Sequence, residues 1–336
     1  MLTAALALTG ALVYGAADFL GGLAAKRMST LLVTALAAVS GLVLMIVALP
    51  VLGGAWTQVD VAWGAVSGVI GAVAIALLYA CLAIGPMSIL SPLTALMSAV
   101  TPMLWGTLVG AERFGALGAW GLGAALVAVV LVGFVPERGA VRPSARGLLL
   151  AVGSGLAIGG YYIAISHTSE ASGVVPLVAN RVVSAALLFA AFGVVALVAA
   201  RRRIVATPES ALARSSDAVT DHATAGPGGP IRVGGSPVVP PPAQGAGPRS
   251  DERTPRASPR SGLVLALACG LVDATANVLL LLAIRSGDLA VAAVLGAMYP
   301  AGTILLAALV LRERIAPVQW AGLALALVAA GMLALA

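Results

Sequence analysis

Ten apolar segments, each about as long as a membrane-spanning helix, recur along the chain and leave little else for it to fold into. An α-helix needs about 20 apolar residues to cross the hydrocarbon core of a bilayer. Sixty per cent of the 336 residues are hydrophobic and ten per cent are charged, against about 25 per cent charged in a typical soluble domain. The sequence therefore predicts an all-α polytopic membrane protein. The predicted segments are residues 2–24, 31–50, 62–83, 88–110, 115–135, 147–167, 174–199, 261–284, 288–311 and 316–336.

The chain contains 40 glycines, which suits closely packed membrane helices. Lipid provides no hydrophobic drive for helix association, so small residues that let two backbones approach are favoured at helix contacts. We interpret the glycine pairs with four-residue spacing as packing positions, and a homodimer is left open. These pairs are Gly64/Gly68, Gly106/Gly110 and Gly155/Gly159.

Residues 201–260 interrupt the apolar pattern. The segment is rich in proline, glycine and serine, and it holds nine arginines against five acidic residues. Such a composition cannot bury a core, so the segment is predicted to be a disordered linker. Its basic residues lie beside membrane helices, and the sequence shows no nucleic-acid-binding motif near them. We therefore expect these arginines to interact with the lipid bilayer and not with nucleic acid.

The two halves of the chain resemble each other. Residues 83–114 align with residues 283–315 when one gap is allowed, which predicts two five-helix repeats. Because five is odd, the copies must be inserted with opposite orientation, an architecture common among secondary transporters. The predicted divisions are 1–135 (first repeat), 136–200 (loop and first two helices of the second repeat), 201–260 (linker) and 261–336 (its last three helices). The matching positions are Ala83-Ile84 with Ala283-Ile284, Met97 with Met298, Glu112-Arg113 with Glu313-Arg314, and Trp120 with Trp320.

These features resemble the EamA family of the drug/metabolite transporter superfamily. The resemblance is carried by the paired copies, the Glu-Arg closing the fourth and ninth helices, Pro300, the segment YGAADFLGG around Asp18, and AMYPAGTILLAALVLRERI. It covers everything except residues 201–260. It implies ten helices around a central cavity, alternating access and export of chemically diverse small molecules. It implies no catalytic residue and gives no substrate.

Residues 263–284 place two polar side chains near the middle of an apolar run. Asp273 and Asn277 are four residues apart and therefore share one helix face. A carboxylate at bilayer depth costs a few kcal/mol, so it is expected to face the bundle or a water-filled cavity. Two interpretations stay open: a structural hydrogen-bonded pair, or a cavity carboxylate that binds a cationic group or carries a proton.

Other polar, aromatic and proline residues at membrane depth are further candidates. Asp18 can line the cavity or pair with a basic residue near an interface. Arg181 can pair with Asp18 or Asp273, extend to an interface, or contact a substrate anion. The aromatic side chains can form a cavity wall for cations or simply pack. The further cavity candidates are Asp18, Tyr14, Arg181, Asn180, Tyr299, Tyr161, Tyr162 and Trp105. The candidate helix breaks are Pro300, Pro102, Pro92 and Pro176.

The basic residues are unevenly distributed between the two sides of the predicted bundle. Sixteen of the 19 basic residues, including those of the linker, fall in loops on one side and two fall on the other. The positive-inside rule then predicts a cytoplasmic linker and external termini. The family resemblance implies internal termini instead; we give slightly more weight to the charge distribution.

Together these observations predict a secondary active transporter in the plasma membrane. It is expected to export a small metabolite or toxic compound by alternating access, with proton coupling through Asp18 and Asp273 as a hypothesis. An intramembrane enzyme or a non-transporting scaffold or sensor is the alternative. No enzyme motif, cofactor motif or metal-ligand spacing is recognisable, and no Walker A motif supports ATP as the energy source.

Overall fold

The computed structural model describes residues 1–84, 87–133, 143–195, 197–198, 259–312 and 315–336, and all regular structure in these ranges is helical. Nine helices in them are long and apolar enough to cross a membrane, with residues 289–310 counted as one. α4 has 22 residues but is not one of the nine, so the ten-helix, two-repeat arrangement remains a prediction. A short 3-10 helix covers Glu170–Ser172. The helices are α1 (Leu2–Ala25), α2 (Thr30–Leu52), α3 (Gln58–Ile84), α4 (Met87–Leu108), α5 (Ala116–Gly133), α6 (Ala145–Ser166), α7 (Val175–Val195), α8 (Pro259–Arg285), α9 (Leu289–Gly296), α10 (Tyr299–Val310) and α11 (Pro317–Leu335).

The chain divides into two compact units, residues 1–192 with 258–336, and residues 193–257. The first unit contains the helical bundle. The second contains the last residues of α7 and most of the predicted linker. The linker prediction lies outside the described residues except at its end, where Pro259 and Arg260 already belong to α8. The predicted boundary at residue 261 was therefore two residues late.

The observed helices follow the predicted segments within a few residues, with two informative differences. α3 begins at Gln58 instead of residue 62, because Thr57 and Asp60 form a capping turn. The backbone N–H of Asp60 donates to Thr57 Oγ1 at 3.1 Å, and that hydroxyl donates to Asp60 Oδ2 at 2.5 Å. The segment predicted at 288–311 divides into α9 and α10, with the break just before Pro300.

The candidate helix-breaking prolines occupy different positions. Pro300 lies in the first turn of α10. It disfavours one continuous helix through α9 and α10, because proline has no N–H to donate and its ring collides with the carbonyl group four residues earlier in a helix. Pro92 and Pro102 lie inside α4. Pro176 lies in the first turn of α7, where the missing N–H has no helical partner to lose, so it does not break that helix. A proline that the sequence analysis passed over, Pro50, lies inside α2.

The bundle is organised around a few extensive helix contacts. α1 packs on α8 and on the broken pair α9 and α10, while α6 packs on α3 and α4. α2 packs on α8, α5 packs on α11, and α4 packs on α9. Large apolar side chains such as Val47, Leu108 and Leu327 remain exposed on the outside, as expected of a surface that faces lipid.

Two of the three glycine pairs mediate close helix contacts, as predicted. Gly64 and Gly68 let α3 approach the backbone of α7, since a Cβ at Gly68 would lie 2.6 Å from the carbonyl oxygen of Asn180. Gly155 and Gly159 bring α6 equally close to α4. A side chain at these positions would push the helices apart.

The third glycine pair has a different role from the one predicted. Gly106 and Gly110 lie at the end of α4, where the chain turns back on itself. A Cβ at Gly110 would lie 2.8 Å from the carbonyl oxygen of Gly106, and a Cβ at Gly106 would collide with the side chain of Glu112. These glycines therefore shape a turn and position Glu112.

One end of the bundle, which we call the termini face, contains both chain ends and the connections 53–57, 109–115, 167–174 and 286–288. Here the Arg285 guanidinium donates to the carbonyl oxygens of Gly173 at 2.8 Å and Ser169 at 2.9 Å. Asp60 accepts from the Ser169 backbone N–H at 2.7 Å and from its hydroxyl at 2.8 Å. The 167–174 connection is thus held between α3 and α8.

A carboxylate from elsewhere in the chain caps the start of α9. Glu112 Oε1 accepts from the N–H of Leu289 at 2.8 Å, and Oε2 accepts from the N–H of Ala290 at 3.2 Å. Asp288 precedes the helix in the N-cap position, but its side chain makes no capping hydrogen bond. Burial raises the pKa of the Glu112 carboxyl above its usual value, while the two N–H donors act to lower it. The cost of burying the ionised group therefore offsets part of the benefit of the cap.

We expect the substitution Glu112→Ala to lower the free energy of unfolding by about 1 kcal/mol, within the range for lost helix caps. Asp288→Ala is the matched control and should change it by less than about 0.5 kcal/mol, as for ordinary surface substitutions. Urea unfolding of the purified protein in detergent, followed by tryptophan fluorescence, measures both. Equal losses in the two variants would show that Glu112 is not the effective cap.

Candidate functional site

A cavity of about 240 Å³ lies inside the bundle, between α1, α3, α6, α7, α8 and α10. Nine of the ten predicted cavity residues line it. The apolar part of its wall comes mainly from α3, with Gly71, Ala74, Ile75 and Leu78, and Ser184 of α7 adds a hydroxyl group. The nine predicted residues are Tyr14, Asp18, Tyr161, Tyr162, Asn180, Arg181, Asp273, Asn277 and Tyr299.

Close packing of α1 on α10 positions the first part of the site. A Cβ at Gly302 would lie 2.6 Å from the carbonyl oxygen of Leu12, and the Thr303 hydroxyl donates to the carbonyl oxygen of Gly15 at 3.2 Å. This contact sets α10 against the part of α1 that carries the cavity residues Tyr14 and Asp18. The sequence predicted their shared face from the i, i+4 spacing alone.

The central contact of the site is an ion pair between Arg181 of α7 and Asp273 of α8. Arg181 Nη2 donates to Asp273 Oδ2, and the two side chains are 12% and 29% exposed. A Cβ on Gly41 of α2 would lie 3.5 Å from Arg181 Nε, so α2 borders the guanidinium group. The Asn277 amide donates to the carbonyl oxygen of Asp273 at 2.7 Å and to its Oδ2 at 3.3 Å. The charge of Asp273 is therefore compensated within the protein.

Two further hydrogen bonds extend this polar network. The Tyr161 hydroxyl donates to Asn277 Oδ1, which connects α6 to α8. The Asn180 amide donates to Ser67 Oγ at 2.9 Å, which connects α7 to α3. Ser67 was not predicted, because one serine in an apolar segment carries no signal of its own. The network fixes the side chains on one side of the cavity.

Asp18 differs from the other cavity carboxylate. It lines the cavity, yet within the described part of the chain it forms neither a side-chain hydrogen bond nor an ion pair. Arg181, its predicted alternative partner, is paired with Asp273 instead. Among the described residues, the cavity therefore contains one compensated ion pair and one carboxylate without a partner, that of Asp18, which is exposed. Four tyrosines also line the cavity.

Trp105 does not line this cavity, contrary to the predicted aromatic wall. It is 37% exposed and lies near the termini face, with its ring 6.0 Å from that of His167 in an edge-on arrangement. His167 stacks on Trp63 at 4.7 Å. Trp105 and His167 border a second cavity of about 300 Å³, next to Glu112 and the start of α9. Trp105 lies only three residues before the end of α4, too far along the helix to reach the centre.

The network around Arg285 and Asp60 was also missed by the sequence analysis. Its local signal was present, because a threonine three residues before an acidic residue is a capping pattern. Thr57 and Asp60 match that pattern and mark the true start of α3. The partner of Asp60 in the 167–174 connection lies more than 100 residues away and has no local signal.

Comparison with solved structures supports the helical fold. A crystal structure described only as that of a protein is similar to this chain with a TM-score of 0.65, covering 99% of this chain and 96% of that one. The two sequences are 16% identical, so the similarity concerns the fold alone. No curated protein sequence matches the chain significantly.

The sequence of the last part of the chain matches a known family model. The match covers residues 247–335, which include α8, α9, α10 and α11. These helices contribute Asp273, Asn277 and Tyr299 to the cavity. Residues 247–335 are therefore similar in sequence to the EamA-like transporter family, which is part of the drug/metabolite transporter superfamily.

Proposed function

We propose that this protein is a ten-helix secondary transporter that exports a small molecule across the cell membrane through the central cavity. The observation that carries the proposal is a cavity with charged and polar walls inside a bundle of membrane helices. Charges at that depth are energetically costly, and they occur mainly where they pair inside a helix bundle or line a translocation path. The similarity of the C-terminal helices to a transporter family favours a translocation path.

The packing pattern supports the proposed inverted repeat. When the first five helices are exchanged for the remaining ones, the principal contacts correspond. α1 packs on α8 as α6 packs on α3, and α1 packs on α9 and α10 as α6 packs on α4. α2 approaches α8 as α7 approaches α3. With α4 counted as a span, the bundle has ten membrane helices in two related sets.

Alternating access requires the two ends of the bundle to open in turn. At the termini face, Glu112 joins the α4–α5 connection to α9, and Arg285 joins α8 to the 167–174 connection. Each of these polar contacts joins a connection to the end of a helix. We propose that both contacts break when the cavity opens on this side. The helix break before Pro300 gives α9 a point about which it can move.

Proton coupling would require a cavity carboxylate that can gain and lose a proton during the cycle. Asp18 and Asp273 are the two candidates that the sequence singled out. Asp273 already forms an ion pair with Arg181. Asp18 has no such partner among the described residues, so we propose Asp18 as the coupling carboxylate.

The first prediction is that wild-type protein expressed in cells enriches at least one compound in the medium, and that Asp18→Asn abolishes the enrichment. An untargeted comparison of metabolites in cells and medium, at matched membrane levels, measures this. Asp288→Asn, which alters an exposed carboxylate outside the cavity, is the control and should export normally. Identical profiles for wild type and cells without the protein would count against export of the host's metabolites.

The second prediction concerns the Arg181–Asp273 pair. Arg181→Gln should destabilise the protein by about 3–5 kcal/mol, the cost of leaving a buried partner charge uncompensated. The double variant Arg181→Met/Asp273→Met should recover most of that loss, because neither charge of the pair remains. Thermal unfolding in detergent measures the recovery. A double variant that is no more stable than Arg181→Gln would show that the ion pair does not govern stability here.

The double variant also separates a structural role from a role in transport. If the pair only holds α7 and α8 together, the double variant, once its stability is recovered, should export at the wild-type rate. We expect less than a tenth of that rate, because the pair fixes the polar wall of the cavity through Asn277 and Tyr161. Flux of the compound identified in the preceding comparison provides the measurement.

The third prediction tests the proposed orientation, with a cytoplasmic linker and external termini. In a Cys81→Ala/Cys269→Ala background, a membrane-impermeant maleimide should label Trp56→Cys in intact cells. Trp56 lies in the 53–57 connection of the termini face and is 62% exposed. Ser215→Cys in the linker should be labelled only after permeabilisation. The reverse pattern would place the termini inside.

A further inference from the structure

We propose that the cavity binds a small organic cation with an aromatic or apolar body, with Asp18 as its counter-charge. The inference rests on the proposed transport function and names its substrate class. The carrying observation is that Asp18 has no partner among the described residues and lines a cavity whose other described charges cancel.

The charge balance of the cavity excludes an anion as the preferred ligand. The described residues that line it include two carboxylates and one guanidinium group. Arg181 and Asp273 neutralise each other, which leaves the charge of Asp18. An anion could reach the guanidinium only by displacing Asp273, and that would leave two carboxylates unpaired at bilayer depth. A cation placed beside Asp18 removes the unpaired charge instead.

The wall of the cavity suits such a cation. Tyr162 and Tyr299 line the same cavity as Asp18. The rings of Tyr161 and Tyr162 lie 5.5 Å apart with 60° between their planes. Aromatic faces attract ammonium groups, and the attraction is stronger when the site is desolvated. The tyrosine rings and Asp18 thus act on the same positive charge.

The volume of the cavity and its apolar lining define the rest of the ligand. The volume of about 240 Å³ lies below the range of roughly 300–1,000 Å³ for drug-sized ligands. Ile75, Leu78 and Ile158 form the apolar part of the wall. A compact phenyl or branched alkyl group fits there, while the charged group faces Asp18.

The test compares three compounds that share a phenyl ring and differ in charge: phenyltrimethylammonium, benzyl alcohol and benzenesulfonate. Isothermal titration calorimetry of the full-length protein in detergent measures their affinities. We expect phenyltrimethylammonium to bind at least tenfold more tightly than the other two. Asp18→Asn should weaken its binding at least tenfold, while Asp288→Asn should leave it unchanged.

A second pair of variants tests the aromatic wall independently of Asp18. Tyr162→Phe keeps the ring and should bind phenyltrimethylammonium within threefold of wild type, whereas Tyr162→Leu should bind it at least fivefold more weakly. Thermal unfolding of each variant shows that it is folded. Equal binding by the Phe and Leu variants would overturn the role of the ring.

Three outcomes would overturn the cation assignment: tighter binding of benzenesulfonate or benzyl alcohol, undiminished cation binding by Asp18→Asn, or no cation binding by folded wild type. None of these tests transport itself. If the metabolite comparison finds export of an anion or a neutral compound, the cation assignment fails while transport stands. If phenyltrimethylammonium binds as expected and that comparison finds no exported compound, the cation assignment stands while export of the host's metabolites fails.

Discussion

The cost of charge at bilayer depth governs how this bundle is arranged. Arg181 and Asp273 can lie inside it because each compensates the other across the contact between α7 and α8. Asn277 and Tyr161 then order the surrounding polar groups by hydrogen bonds. Gly41 leaves room beside the guanidinium, and the glycines of α3 bring α7 close enough to be part of the same wall. The cavity exists where these polar side chains prevent the helices from closing on each other.

The sequence predicted the helices well because the bilayer imposes a simple requirement on their length and polarity. Runs of about 20 apolar residues located most helix ends within a few residues. The spacing of Tyr14 with Asp18 and of Asp273 with Asn277 predicted which residues share a helix face, and all four line one cavity. These are local properties of a helix and require no knowledge of its neighbours.

Contacts between distant segments were beyond the reach of the sequence. Arg181 had two plausible acidic partners, and only the arrangement of α1, α7 and α8 selects Asp273 over Asp18. Trp105 was assigned to the cavity because its helix contributes to the bundle, but its height in that helix places it near the termini face. The role of Glu112 depends on the start of α9, 177 residues away. Each case depends on how helices are placed relative to one another, which hydrophobic periodicity does not encode.

The burial of α9 has a consequence for assembly. All eight of its residues are buried, so this helix has no surface left to contact lipid, whereas α10 is largely accessible. A segment entering the membrane from the translocation machinery is at first surrounded by lipid and by the few helices already present. Residues 289–310 follow α1, α4 and α5 in the chain, so they enter the membrane after these helices. The enclosure of α9 by α1, α4 and α5 therefore has to wait until all of these helices are inserted, and Tyr299 of α10 reaches the central cavity no earlier.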